Sequence, residues 1–137
     1  MAENPWWAPW ALNRIIEPLM RSLKIQTPSL AEMRAGDKAL DICCGTGALV
    51  LHLARMNVFA CGIDMDPRVI KVAENKRVKL GLENASVQLA NALHLPFEDD
   101  FFDYASISMT IHENPGTDRD IIISEMKRVV KKEGTLI

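Results

Sequence analysis

The sequence predicts an α/β fold built on a parallel sheet. Short apolar runs of strand length alternate with segments of helical spacing along residues 38–137. The runs are mostly apolar, as strands covered on both faces by helices are. Right-handed crossovers between such strands then dictate most of the topology.

The elements follow in order. Residues 1–10 hold Trp6, Trp7 and Trp10 with Pro5 and Pro9. Residues 10–24 have helical spacing, with Leu12, Ile15, Ile16, Leu19, Met20 and Leu23 on one face and a kink or break expected at Pro18. Thr27-Pro28-Ser29 is a turn, and Ser29 is placed to cap a short helix ending near Gly36. These residues, 1–36, are expected to form a helical arm or lid, and 37–137 the ligand-binding domain.

Lys38–Cys43 is the first expected strand, stopped by Gly45-Thr46-Gly47. Residues 47–56 have helical spacing, and Val58–Ile63 is a second strand ending at Asp64. Asp66 is a good N-cap, Pro67 suits the first helical position, and Gly81 is a natural stop. Ser86–Ala90 and Phe101–Ser108 are the third and fourth strands. Thr117 and Asp120 have the spacing of a capping box, opening a helix through Lys132 with Ile122, Met126, Val129 and Val130 inward. Gly134 is expected to end that helix, and Thr135–Ile137 to begin a fifth strand.

Composition narrows the function classes. The chain has 137 residues, 48% hydrophobic and 25% charged, which excludes a disordered, collagenous or disulfide-built chain. Its 16 basic and 18 acidic residues leave a net charge of −2, so no basic excess points to nucleic acid. Three cysteines, two of them adjacent, give neither a disulfide framework nor a zinc spacing, and no metal site is expected. They are expected as thiols in a reducing cytoplasm. The amino terminus lacks the positive region of a signal peptide, and no apolar stretch reaches the ~18 residues of a membrane span.

In open parallel sheets ligands bind beyond the carboxyl ends of the strands, where strand order reverses. The polar residues of this sequence gather at those ends. Gly45 and Gly47 let the backbone turn tightly and approach a ligand, with helix amides following at once. Asp64 lies 19 residues after Gly45, where a carboxylate accepts hydrogen bonds from ribose hydroxyls. Asp41 beside the glycine turn would repel a pyrophosphate but suit a ligand carrying a sulfonium and an ammonium. Val50 stands where a dinucleotide fingerprint has its third glycine, which also disfavours a nicotinamide oxidoreductase.

The segment LDICCGTGALVLHLA resembles motif I of the class I S-adenosylmethionine-dependent methyltransferases. The resemblance continues through GIDMDP, NALHLPFEDDFFDYASISMTIHE and EMKRVVKKEGTLI. Within that family the chain is most similar to the small-molecule group that includes ubiquinone and menaquinone methyltransferases. The resemblance implies a Rossmann-like methyltransferase fold, here cut short at the fifth strand. It implies that Asp41 orients the methionine amino group with the backbone of Gly45, Thr46 and Gly47, and that Asp64 holds the ribose. Met65 would pack on adenine, Asn91 accept from the adenine amino group, Ala92 offer its amide, and Ser108 line the methionine end. Asn91 departs from the family's usual aspartate, and Cys43 from its usual glycine, which leaves Cys43 beside the cofactor.

Methyl transfer from a sulfonium chiefly needs alignment and water exclusion, and sometimes a base. His112, with Glu113 beside it, is the candidate base; His52 and His94 are weaker ones. The expected function is S-adenosylmethionine-dependent methylation of a small apolar or aromatic acceptor, the alternative being a binding module without turnover. An exposed fifth strand, with Leu136 and Ile137 at its tip, predicts a homodimer through the sheet edge or else a loose C-terminal segment.

Overall fold

The computed structural model describes residues 32–107 and 116–137. Among them lie β1 (Lys38–Ile42), α1 (Ala48–Arg55), β2 (Phe59–Asp64), α2 (Pro67–Leu80), β3 (Ala85–Leu89), β4 (Phe102–Ile107), α3 (Gly116–Val129) and β5 (Val130–Leu136). The five strands form one parallel sheet in the order β3-β2-β1-β4-β5. Strand order therefore reverses between β1 and β4. Of the expected 1–36 arm, residues 1–31 lie outside the described residues, the three tryptophans included.

Local chemistry explains why the first four strands and the first two helices fall within one residue of expectation. The Asp66 carboxylate accepts the Arg68 amide at 2.9 Å and so caps α2, Pro67 opens it, and Gly81 closes it in the left-handed region at φ 65°. On one face of the sheet Ala39, Ala60 and Ala85 pack beneath Leu49, Val50, Leu53 and Ala54 of α1, with Ile70 of α2 beside them. On the other face Leu40, Ile42, Ile63, Phe102 and Ala105 pack against Ile122, Met126 and Val129 of α3. Fully burying side chains of this size contributes about 1.5–3 kcal/mol each. At β3 the second face turns polar and exposed, with Ser86 and Gln88 outward.

The fifth strand corrects the sequence reading. Thr117 lies inside α3 rather than capping it, α3 ends at Val129 rather than Lys132, and β5 begins at Val130, five residues before the expected Thr135. Phe102 pairs with Val130 and Tyr104 with Thr135, so two steps along β4 match five along β5. Gly134 thus lies within a strand instead of ending a helix. The polar run Lys131-Lys132-Glu133 favours helix locally, and only pairing with β4 overrides it. Lys131 Nζ meets Asp103 Oδ1 at 2.9 Å across this irregular ladder.

β2 passes close beneath the loop after β1. A Cβ on Gly62 would lie 2.7 Å from Val50 Cγ2 and 2.8 Å from Cys44 Sγ. Both neighbours are buried and held by the sheet and α1, so they have little room to yield. Gly62→Ala is expected to destabilise the fold by about 1–3 kcal/mol, the usual cost of overpacking. Denaturant unfolding measures this; a midpoint equal to wild type would mean that β2 shifts freely.

Candidate functional site

Past Ile42 the chain must turn from β1 into α1 within five residues. It does so through three left-handed residues, Cys43 at φ 59°, Gly45 at 57° and Gly47 at 82°. Gly47 is also crowded, since a Cβ there would meet the Ala73 Cβ at 3.0 Å. The left-handed conformation at Cys43 is the one glycine adopts most easily, so the side chain there costs about 1–2 kcal/mol. Cys43, Cys44 and Cys61 form no disulfide.

Asp64 holds this loop in place. Its Oδ2 accepts the Gly45 amide and its Oδ1 the Asp66 amide, both at 3.0 Å. The carboxylate thus joins the turn after β1 to the turn after β2. Each oxygen keeps a further lone pair for a ligand. The Cys44 amide donates to the Ile63 carbonyl at 2.9 Å, fastening the same loop to β2.

A cleft of about 290 Å³ opens at these strand ends, lined by Ile42, Cys43, Ile63, Asp64, Met65, Ala90, Asn91, Ala92, Leu93, Asp118 and Ile122. Met65 is 66% exposed at its rim, an apolar side chain available to cover a flat ligand. Asn91 Oδ1 accepts the Leu93 amide at 2.9 Å, so the expected acceptor already braces its own turn with one lone pair. Asp41 is 1% exposed and lies off the cleft lining. It receives the Ser106 hydroxyl at 2.9 Å across the β1–β4 boundary.

The structure therefore brings Cys43, Asp64, Met65, Asn91 and Ala92 to one cleft. Gly45 is tied to Asp64 beside them, Thr46 and Gly47 complete the turn into α1, and Asp41 sits buried behind. Ser108, His112 and Glu113 lie outside the described residues. His52 is half-buried in α1 and His94 is exposed, and neither lines the cleft. Sequence reasoning missed Leu93, Asp118, Ile122 and Ser106, which reach the site only by folding. For Ser106 a signal existed: a small hydroxyl residue in an expected strand next to the one that carries Asp41.

A larger recess of about 460 Å³ lies at the opposite end of the sheet, lined by Asp37, Asp103, Tyr104 and residues 131–135. Within it Asp103 is already engaged, accepting both the Lys38 amide and Lys131 Nζ. Among the described residues no three or more His, Cys, Asp or Glu side chains gather as metal ligands. No helix among them is long and apolar enough to cross a membrane.

No helix joins β3 to β4. Residues 90–101 instead run along α3, tied to Glu125 and Arg128. Glu125 accepts the Leu95 amide at 2.7 Å, while Arg128 pairs with Glu125 and Asp99 and reaches the carbonyls of Leu95 and Phe97. The hydrogen bonds from Arg128 hold the Glu125 carboxyl below the usual carboxylate range, against partial burial that pushes it up. A group depressed in the folded state stabilises fully above its unfolded pKa, about 4.3, and loses that contribution as pH falls through the folded value. Stability is thus expected to fall below pH ~4.5, and Glu125→Gln to flatten part of that limb. Urea unfolding across pH 3–6 measures both slopes.

Comparison with known proteins agrees with this geometry. A family model described as a methyltransferase domain matches residues 33–137. A demethylmenaquinone methyltransferase of Bacillus cytotoxicus is 36% identical over 115 residues, covering 82% of this chain and 48% of its own length. The chain thus spans about half the length of the curated relatives it matches. The YcgJ protein from Bacillus subtilis superposes with a TM-score of 0.72 at 31% identity, over 85% of this chain and 47% of that one. A SAM-dependent methyltransferase from Aquifex aeolicus superposes with a TM-score of 0.73 at 25% identity, over 82% and 61% of the two chains.

Proposed function

The chain belongs to the methyltransferase domain family of class I, S-adenosylmethionine-dependent enzymes, and from that premise we propose that its cleft binds S-adenosylmethionine for methyl transfer to a small apolar or aromatic acceptor. The observation that carries the reading is Asp64. Its carboxylate closes β2, faces the cleft and grips the Gly45 amide, so ligand and glycine turn meet at one group.

The residues present fit that cofactor. Asp64 offers lone pairs to two ribose hydroxyls. Ile42, Ile63, Leu93 and Ile122 supply an apolar slot for a flat ring, with Met65 over it and the Asn91–Ala92 turn at its edge. Asp41, buried behind the turn, supplies negative charge toward the ammonium end. When bound, the sulfonium provides an activated methyl group and a neutral thioether leaving group. The protein's part is to align, to exclude water and to accept a proton where the acceptor carries one. For that last role we propose His112, with Ser108 lining the methionine end; both lie outside the described residues. The resemblance to a demethylmenaquinone methyltransferase supports a quinol-like acceptor. That Cys43, Cys44 and Cys61 form no disulfide accords with a reducing, cytoplasmic setting.

Calorimetry with S-adenosylhomocysteine tests the cofactor assignment. Wild type is expected to bind it and not NAD, and Asp64→Ala to lose about 1.5–3 kcal/mol, the range for hydrogen bonds to a charged group. Equal affinity in folded Asp64→Ala would remove the carboxylate from the site. His112→Ala is expected to keep that affinity and lose turnover in a radiolabelled methyl-transfer screen. Binding with no transfer to any acceptor would favour a binding module.

We also propose a homodimer. Among the described residues β5 is an outer strand of the sheet, with Leu136 and Ile137 exposed, and exposed strand edges invite pairing with another chain. Light scattering coupled to size exclusion is expected to give twice the mass of the polypeptide, and Leu136→Lys to shift the mass toward the monomer. A wild-type monomer at all concentrations would sink this.

A further inference from the structure

We propose that Arg128 is a positioning residue for the cleft: seated on Glu125, its guanidinium sets the wall formed by Asn91, Ala92 and Leu93 and thereby the affinity for the nucleoside. This rests on the cofactor reading of the cleft.

A guanidinium carries five N–H donors in a rigid fork. All five are used here. Nε and one Nη2 donor go to the two oxygens of Glu125, at 2.7 and 2.8 Å. The second Nη2 donor goes to the Leu95 carbonyl at 3.0 Å, and the two Nη1 donors to the Phe97 carbonyl and Asp99 Oδ1, both at 2.8 Å. Glu125 Oε2 in turn accepts the Leu95 amide at 2.7 Å. Both backbone polar groups of Leu95 are therefore satisfied by one side-chain pair on α3. In return, the Arg128 and Val129 carbonyls accept the amides of Asp100 and Phe101.

The cleft wall lies immediately before this clasp. Its other hydrogen-bonded anchor is the Ala90 amide, which donates to the Asp64 carbonyl at 3.0 Å, while Ala90, Ala92 and Leu93 also pack against the core. Between the two, Asn91 accepts the amides of Leu93 and His94, bonds that shape the turn without fixing it to the domain. Asp64 thus locates one end of the wall and Arg128 the other. The clasp leaves the cleft itself uncharged by the guanidinium, since Arg128 is not among its lining residues. Its action on a ligand is through the 91–95 backbone.

A role confined to overall stability would leave the affinity of the folded fraction unchanged. Arg128→Met and Arg128→Lys are compared with wild type well below their unfolding temperatures. For Arg128→Met, the Kd of S-adenosylhomocysteine is expected to rise about tenfold. The amides of Leu93, His94 and Leu95 should exchange at least tenfold faster, while those of Leu40 and Ile42 in β1 keep their rates. Arg128→Lys, which keeps the charge but loses the fork, should restore only part of the affinity. An Arg128→Met affinity within twofold of wild type, or exchange that accelerates uniformly across the sheet, overturns the proposal. If Arg128→Met does not fold, Glu125→Gln is read by the same two measurements and the same criteria, with a smaller rise of about threefold. If wild type binds no S-adenosylhomocysteine, the cofactor reading fails, and the exchange pattern alone then decides whether the clasp positions the wall.

Discussion

β1 is paired in parallel on both sides, with β2 along one edge and β4 along the other. That double pairing determines where every site residue ends up. It lines up the carboxyl ends of β1 and β2, so Ile42 and Ile63 sit level, with the glycine turn and Asp64 just beyond. It also places the reversal of strand order between β1 and β4, the place where connections diverge to opposite faces and leave a crevice. Asp41 lies in register with Gly62 on one side and Ser106 on the other, which buries its carboxylate yet supplies a hydroxyl donor. A buried carboxylate without donors would be expensive.

The turn after β1 stores strain and spends little side-chain volume. Three left-handed residues in five bring backbone amides toward β2, and the Asp64 carboxylate and Ile63 carbonyl receive two of them. Gly62 belongs to the same device, because only a strand without a Cβ at that position lets Cys44 and Val50 settle so close. Packing below and hydrogen bonds beside it thus constrain the same few residues.

The connection from β3 to β4 solves a different problem. Without a helix, residues 90–101 have no internal backbone ladder, and their polar groups need partners. Glu125 and Arg128 supply several from one turn of α3, while Leu95 sinks into the core beside Ile122 and Met126. Phe97 and Phe101 each meet Phe102 edge to face at 4.9 Å. A mixed polar and aromatic seam thus does what helix packing does elsewhere in the sheet.

By itself the sequence determined whatever depends on near neighbours. The alternation of elements, the Asp66–Pro67 start and Gly81 end of α2, and the glycine turn with Asp64 beyond it were all legible, because capping, turning and periodicity act over a few residues. The family resemblance made the roles of Asp41, Asp64 and Asn91 readable as expectations. Only the tertiary structure decided the rest. The start of β5 at Val130 depends on pairing with Phe102, against a local preference for helix in Lys131–Glu133. Ser106 meets Asp41 across 65 residues, and Arg128 reaches Leu95 across 33. Asp118 and Ile122 enter the cleft because α3 packs over β1 and β4. Such contacts leave little trace in local pattern, since a serine or an arginine is chemically content in water until the fold sets a partner against it.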